Sequence, residues 1–283
     1  MTVETEFHLK NPLSSVLFEK YRKLKEFFEE NQESGICIAY SGGVDSTLLL
    51  KVAADASESR PVLAVILETQ LHPHSDTQNA YTLAGQLHAQ PEIIRIDEFQ
   101  DPQIMQNPVN RCYLCKRLLF SSLKELAVAR GFHLICDGTN KDDEQEYRPG
   151  MKVLKELEIC SPLLEFGITK SEVRTISKAL GLPTASVPST PCLATRLPYH
   201  TYLDRQLLDR LNEGETWLRQ KGFYNVRLRY HDPILRLEID CDSFTQLLSQ
   251  KNAVIDYLKT LGFSYITLDL EGFRSGSMDI GLQ

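Results

Sequence analysis

Ile38-Ala-Tyr-Ser-Gly-Gly-Val-Asp-Ser-Thr47 is the stretch on which the fold turns. The apolar run Gly35-Ile-Cys-Ile-Ala-Tyr40 before it reads as a buried parallel strand, and residues 45–56 read as the helix that follows. Between them, Ser41, Gly42 and Gly43 let the backbone turn sharply and bring its N–H groups against an anion, with the positive end of the helix behind them. Ser41 and Ser46 offer hydroxyls to phosphate oxygens, and Asp45 can hold a magnesium ion beside them. Such a site grips a pyrophosphate group without a lysine. It is not a Walker A loop, because no Gly-Lys-Ser/Thr follows.

The rest of the chain extends the same architecture. Strand-like runs recur at residues 62–67, 92–96 and 132–136, with helical patterns at 13–31, 75–88 and 115–129. Alternation of this kind implies right-handed crossovers and an α/β fold with a doubly wound parallel sheet. Ligands bind such sheets at the carboxyl ends of the strands, where Ser41 to Ser46 lies. Four prolines between Pro183 and Pro198 mark a junction. Beyond it, a helix at 203–221, strands at 224–230 and 234–239, a helix at 243–261 and a strand at 263–270 predict a smaller α+β domain. Its sheet is expected to be antiparallel and covered by two helices. The expected domains are therefore residues 1–187 and 188–283.

Composition narrows the function classes. The 283 residues, 42% hydrophobic and 24% charged, suit a soluble globular protein. No apolar run approaches about eighteen residues, so no membrane span is expected. Met1-Thr-Val-Glu-Thr-Glu6 lacks the pattern of an export signal, so cytoplasmic residence is the expectation. A net charge of −7 argues against broad nucleic-acid binding, which needs a basic face. Seven cysteines without an export signal argue against a disulfide framework.

Six of the seven cysteines divide into two groups, and Cys241, at the end of a strand in the smaller domain, is uninformative. Cys112-Tyr-Leu-Cys115 opens a helix, a setting that suits a redox dithiol, half a zinc site or part of an iron–sulfur site. Cys192, in Ser189-Thr-Pro-Cys-Leu-Ala-Thr-Arg196, is the other loop cysteine that can converge on the pair. Three thiols leave a tetrahedral site one ligand short: an open position on zinc, or one iron of a [4Fe–4S] cluster left free for sulfide or substrate. Three unrelated thiols is the plain alternative. Cys37, Cys136 and Cys160 read as buried small hydrophobes in or beside apolar strands.

The strand–Ser-Gly-Gly-x-Asp-Ser–helix unit resembles the PP-loop ATP pyrophosphatase superfamily, whose members cleave ATP between its α and β phosphates and form adenylylated intermediates. Taken with Asp137-Gly-Thr-Asn-Lys-Asp-Asp143, Tyr147-Arg-Pro-Gly150, Pro191-Cys-Leu-Ala-Thr-Arg-Leu-Pro-Tyr199 and Asp269-Leu-Glu-Gly-Phe-Arg-Ser-Gly-Ser-Met278, it is similar to the LarE family over nearly the whole chain. That resemblance implies an adenine nucleotide alpha hydrolase-like fold and an ATP-dependent sulfur insertase. The enzyme adenylylates the carboxylates of pyridinium-3,5-biscarboxylic acid mononucleotide and converts them to thiocarboxylates on the way to the nickel-pincer cofactor of lactate racemase.

The resemblance also implies roles. Ser41, Gly42, Gly43, Asp45, Ser46, Gly138 and Asp142 would bind Mg²⁺–ATP, with Asp45 and Cys192 catalytic and Arg148 on the nucleotide side. Arg196, Arg227 and Arg229 would hold the phosphate and carboxylates of the substrate, with Glu215 and Glu238 beside them and a metal there as an open reading. Tyr113 would stack near the pyridinium ring. Cys112, Cys115 and Cys192 would hold the [4Fe–4S] cluster that delivers sulfur, and the implied assembly is a homo-oligomer. Some family members keep only the cysteine matching Cys192 and surrender its sulfur, which stands as an alternative. A tRNA thiolase conflicts with the acidic charge, and an amide-forming ligase leaves the three cysteines without work. A nucleotide sensor that binds ATP without cleaving it is the reading from outside enzymology.

Overall fold

The computed structural model describes residues 12–57, 60–72, 75–145, 150–186, 192–274 and 277–278. The chain forms two compact units. The first comprises Met1–Thr69, His74–Asp97 and Cys112–Thr190, and the second comprises Gln70–Pro73, Glu98–Arg111 and Pro191–Gln283. Two early segments thus group with the C-terminal residues, which local patterning along the chain does not reveal. Their backbones bond within the second unit: Leu193 N donates to Leu71 O at 2.8 Å, His200 N to Asn107 O at 2.8 Å, and Leu203 N to Met105 O at 2.8 Å.

In the first unit, strands β1 (Ile36–Ala39), β2 (Leu63–Thr69), β3 (Gln90–Ile96) and β4 (Leu134–Cys136) form a sheet in the order β3-β2-β1-β4. Every pairing is parallel. Both faces are covered, so alternate residues of one strand enter different cores. Ile36 and Ile38 of β1 pack with helices α1 (Ser15–Asn31), α2 (Val44–Ala56), α3 (Ser75–Gln86) and α6 (Lys170–Ala179). Cys37 packs instead with α4 (Arg111–Ala129) and α5 (Met151–Glu156), through Leu119, Leu123, Val153 and Leu154. This is the expected doubly wound α/β sheet. Helix α1 shows why sequence suffices here: Leu17, Tyr21, Leu24 and Phe28 recur on one face and are all buried, and the Ser14 hydroxyl caps its first turn.

The second unit contains α7 (Arg205–Gln220), β5 (Val226–His231), β6 (Ile234–Ile239), α8 (Phe244–Ser249), α9 (Lys251–Thr260) and β7 (Tyr265–Leu268). Its sheet has the order β5-β6-β7. It is mixed rather than antiparallel: β5 and β6 pair antiparallel, whereas β6 and β7 pair parallel. The reason is the connection, since a crossover through two helices returns the chain to the same end of the sheet, unlike a hairpin. The single helix expected over 243–261 is two helices that meet at Gln250 (φ −103°, ψ 7°). Leu247, Val254 and Leu258 keep helical spacing across the break, so periodicity alone runs straight through it.

Candidate active site

β1 lies inside the sheet between β2 and β4, and the chain leaves its carboxyl end at the point where the strand order reverses. The Ser41–Ser46 turn occupies that point. Gly42 has φ +74°, and a Cβ there would stand 3.0 Å from Ala80 Cβ, so glycine serves both backbone and packing. Gly43 is the N-cap of α2, and no side chain caps that helix. Ser14, Thr169 and Asp204 cap α1, α6 and α7 with their side chains, a bond that α2 lacks. Ser41 and Ser46 brace the turn from within, their hydroxyls 3.0 Å apart, with Ser46 Oγ also bonded to Ser41 N and Gly43 O at 3.3 Å each. The result is a rigid, uncapped helix N-terminus framed by two hydroxyls, which is an anion-binding arrangement.

The segment after β4 closes on this loop. A Cβ on Gly138 would meet Ser46 N at 3.0 Å and Asp45 Cβ at 3.3 Å, so any larger residue would push the two backbones apart by a few tenths of an ångström. Asn140 Nδ2 donates to Asp45 Oδ1 at 3.2 Å, and Lys170 Nζ pairs with Asp45 Oδ2. Asp142 accepts from the Lys170 backbone N–H at 2.8 Å, so its carboxylate anchors the start of α6. Asp137, behind Gly138, is bound by the hydroxyls of Thr139 and Ser161, each at 2.6 Å.

Lys170 and the role of Asn140 escape a motif reading, although a signal exists. Thr169-Lys-Ser-Glu172 is a capping box, and Thr169 and Glu172 form it here. A lysine in the first turn of a helix opposes the dipole, a position that calls for a specific partner. Of the motif residues, Tyr147, Arg148, Pro149, Ser189, Thr190, Pro191, Ser275 and Gly276 lie outside the described residues.

In the second unit the predicted arginines and glutamates form one buried network. Arg196 is 1% exposed and grips Glu215 through Nε and Nη2, both at 2.8 Å. Glu215 also accepts from Leu228 N at 3.0 Å and Arg219 Nη2 at 2.8 Å. Burial works to raise the Glu215 carboxyl, but Arg196 and the other donors outweigh it and hold it below the usual carboxylate range. Arg229 donates to Glu238 at 3.1 Å and to Thr195 O at 2.7 Å. Glu238 is shared with Arg236 at 3.0 Å and Ser277 at 2.8 Å.

Arg227 and Arg229 stand opposite Glu238 and Arg236 in the β5–β6 register, on one face as their alternation predicts. Arg227 is the exception in the network. It donates to Val226 O at 2.7 Å and lies 5.1 Å from the Phe273 ring, with no carboxylate bonded to it among the described residues. Burial and the repulsion of Arg196 bring its guanidinium down to about 10. A buried guanidinium without an anion is a receptor for one.

The cysteines fall in both units. Cys112 (exposed) and Cys115 (half-buried) occupy the first turn of α4, three residues apart and so on neighbouring positions of one face. Cys192, also half-buried, belongs to the second unit and precedes the short helical turn Leu193–Arg196, where its carbonyl accepts from Thr195 and Arg196. No group of three or more metal-ligating side chains is assembled among the described residues. Glu215 and Glu238 therefore hold arginines here. Tyr113 bonds Glu156 through its hydroxyl at 2.8 Å, with the Arg117 and Lys152 cations each 5.7 Å from its ring.

A parallel sheet whose first strand feeds an uncapped Ser-Gly-Gly-Val-Asp-Ser helix defines a PP-loop ATP-binding protein, and a PP-loop domain model matches residues 17–148. An uncharacterized protein of Synechocystis sp. is 37% identical over 266 residues, covering 93% of this chain and 98% of the relative. Pyridinium-3,5-bisthiocarboxylic acid mononucleotide synthase of Lactiplantibacillus plantarum is 35% identical over 244 residues, covering 86% of this chain and 88% of that one. A more distant relative, the NH₃-dependent NAD⁺ synthetase of Aeropyrum pernix, is 26% identical over 178 residues, 60% of this chain and 62% of its own. The chain belongs to the LarE family and is an ATP-dependent sulfurtransferase. No described helix is long and apolar enough to cross a membrane.

Proposed function

We propose that this enzyme adenylylates the carboxylates of pyridinium-3,5-biscarboxylic acid mononucleotide and replaces an oxygen of each with sulfur. The observation that carries the nucleotide half is the uncapped N-terminus of α2, with Asp45 held beside it by Asn140 and Lys170. The free N–H groups and the hydroxyls of Ser41 and Ser46 bind the β and γ phosphates of ATP, and magnesium enters with the nucleotide as part of the substrate. A substrate carboxylate oxygen attacks the α phosphorus, the bond to the bridging oxygen of the β phosphate breaks, and pyrophosphate leaves. A sulfur nucleophile then attacks the acyl carbon of the adenylate and AMP departs with its electron pair. Asp45 would hold the magnesium ion that accompanies the nucleotide, and Lys170, its present partner, would then be available to the phosphates.

The substrate half rests on Arg227. Its buried guanidinium, unpaired with any carboxylate among the described residues, suits the phosphate or a carboxylate of a small anionic nucleotide. Arg196 and Arg229 are paired with Glu215 and Glu238, which leaves Arg227 as the one of these three arginines without a carboxylate among the described residues.

For the sulfur source, the donor chemistry fits an iron–sulfur cluster. Cys112, Cys115 and Cys192 are the solvent-reachable thiols of the motif, and the first two share one helix turn. When bound by these three thiolates, a [4Fe–4S] cluster would supply the sulfur nucleophile. Iron and acid-labile sulfide on protein reconstituted without oxygen test this assignment. About four irons per chain, the content of one such cluster, lost on Cys112→Ala, Cys115→Ala or Cys192→Ala, is the expected result. Iron-free protein that thiolates substrate once, with loss of sulfur from Cys192, would overturn it. The protein acts in the cytoplasm as a homo-oligomer in this reading.

A further inference from the structure

Cys136 and Cys160 lie outside the cysteine motif, yet the fold places them side by side. Cys136 ends β4, and Cys160 pairs with it in an isolated parallel bridge. The backbone fixes the register: Cys160 N donates to Ile135 O and Asp137 N donates to Cys160 O, each at 2.9 Å. Paired residues on neighbouring strands put their side chains on one face, and both cysteines pack against the same core. Cys136 is fully buried, whereas Cys160 is half-buried and reachable.

We propose that Cys136 and Cys160 form a thiol–disulfide exchange site that takes small-molecule disulfides of the glutathione class and weakens ATP binding when oxidised. The Cys160 thiolate attacks one sulfur of the small disulfide, a protein–small-molecule disulfide forms, and one thiolate leaves. Cys136 then attacks the Cys160 sulfur, its proton passes to the second departing thiolate, and the Cys136–Cys160 bond closes. Two protein thiols are oxidised and one small disulfide is reduced to two thiols. The division of labour follows from the environment. A hydrogen bond from Cys136 brings the Cys160 thiol down to about 7, while burial and that same bond hold Cys136 well above the ordinary thiol range.

The consequence for ATP follows from the next residues along each strand, and rests on reading Ser41–Ser46 as the ATP loop. Ser161, beside Cys160, holds Asp137 at 2.6 Å, and Asp137 leads into Gly138, where an added Cβ would stand 3.0 Å from Ser46 N. A disulfide requires its sulfurs to approach to about 2.0 Å. Drawing Cys160 and Cys136 together shifts Ser161 and Asp137, and Gly138 carries the shift into the phosphate loop.

The test equilibrates the whole protein with a glutathione disulfide/glutathione mixture, alkylates the remaining thiols, maps linked peptides by mass spectrometry and titrates ATP by calorimetry. A Cys136–Cys160 peptide and ATP binding weakened about tenfold, an ordinary site-to-site coupling, are expected. Both effects reverse with dithiothreitol and both are absent in Cys160→Ser, whose reduced form binds ATP as the parent does. Free alkylation of Cys136 and Cys160 in the disulfide buffer would overturn the proposal, as would an equal loss of ATP affinity in oxidised Cys160→Ser. The peptide map reads the dithiol and the reduced-protein titration reads the loop, so the two readings fail separately.

Discussion

Gly138 and Arg227 act at the scale of single atoms. At Gly138 a methyl group would intrude between β4 and the start of α2, where Ser46 N is 3.0 Å from the ideal Cβ position. Gly138→Ala is expected to raise the KM for ATP about tenfold, as misplacement of a binding group does. Its melting temperature is expected to fall by only a few degrees, in keeping with a loss of about 1 kcal/mol. At Arg227, the cation that would receive substrate has been brought down to about 10 by burial and by Arg196. A lowered base loses its charge earlier as pH rises, so substrate affinity should fall as pH climbs through about 10, well before an ordinary arginine would titrate. Arg227→Lys should weaken substrate binding and leave ATP binding unchanged, read as a KM change for one substrate only. Gly138 stands in a sequence motif, whereas Arg227 is singled out only by the family resemblance and by its alternation with Arg229 on one strand. That Arg227 lacks a carboxylate while its neighbours have one was not legible in the sequence, because pairing is decided by which side chains β5, β6 and α7 bring together.

The elements show the same division between local and non-local information. The strand, turn and helix around Ser41 to Ser46 could be read directly, since a buried strand, a glycine turn and a largely buried apolar helix are each specified by neighbours in sequence. The parallel β6–β7 pairing and the capture of Gln70–Pro73 and Glu98–Arg111 by the second unit are tertiary facts, and no local pattern encodes them. Helix α6 carries an intermediate case. Its capping box is written in Thr169-Lys-Ser-Glu172, but its purpose, holding Lys170 on Asp45, appears only when α2 and α6 are seen together. Thr169→Ala should cost about 1 kcal/mol through the lost cap, and should also raise the KM for ATP because the Lys170 anchor loosens. Urea unfolding and initial rates measure the two effects, and a stability loss with unchanged KM would detach Lys170 from nucleotide binding.

At the scale of the whole molecule, the first unit carries the PP-loop and the second a buried arginine–glutamate network, which the proposed function makes the two halves of the chemistry. The Arg196–Glu215 pair is completely buried in the second unit, so removing one partner leaves an uncompensated charge. Arg196→Ala should destabilise the protein by about 3–5 kcal/mol. Glu215 lies below the ordinary carboxylate range in the fold, so its stabilisation is full at neutral pH. That stabilisation is lost as acidification passes below the ordinary value of 4.5 and through the lowered one. Denaturation midpoints across that acid range check the sign, and Glu215→Gln should flatten the dependence.

The most direct measurement supplies cluster-reconstituted protein with ATP, sulfide and pyridinium-3,5-biscarboxylic acid mononucleotide and follows the substrate by mass spectrometry. The account predicts stepwise replacement of one oxygen by sulfur at each carboxylate, with one AMP and one pyrophosphate released for every sulfur gained. Substrate recovered unchanged, or converted to an amide while ATP is cleaved, would contradict it.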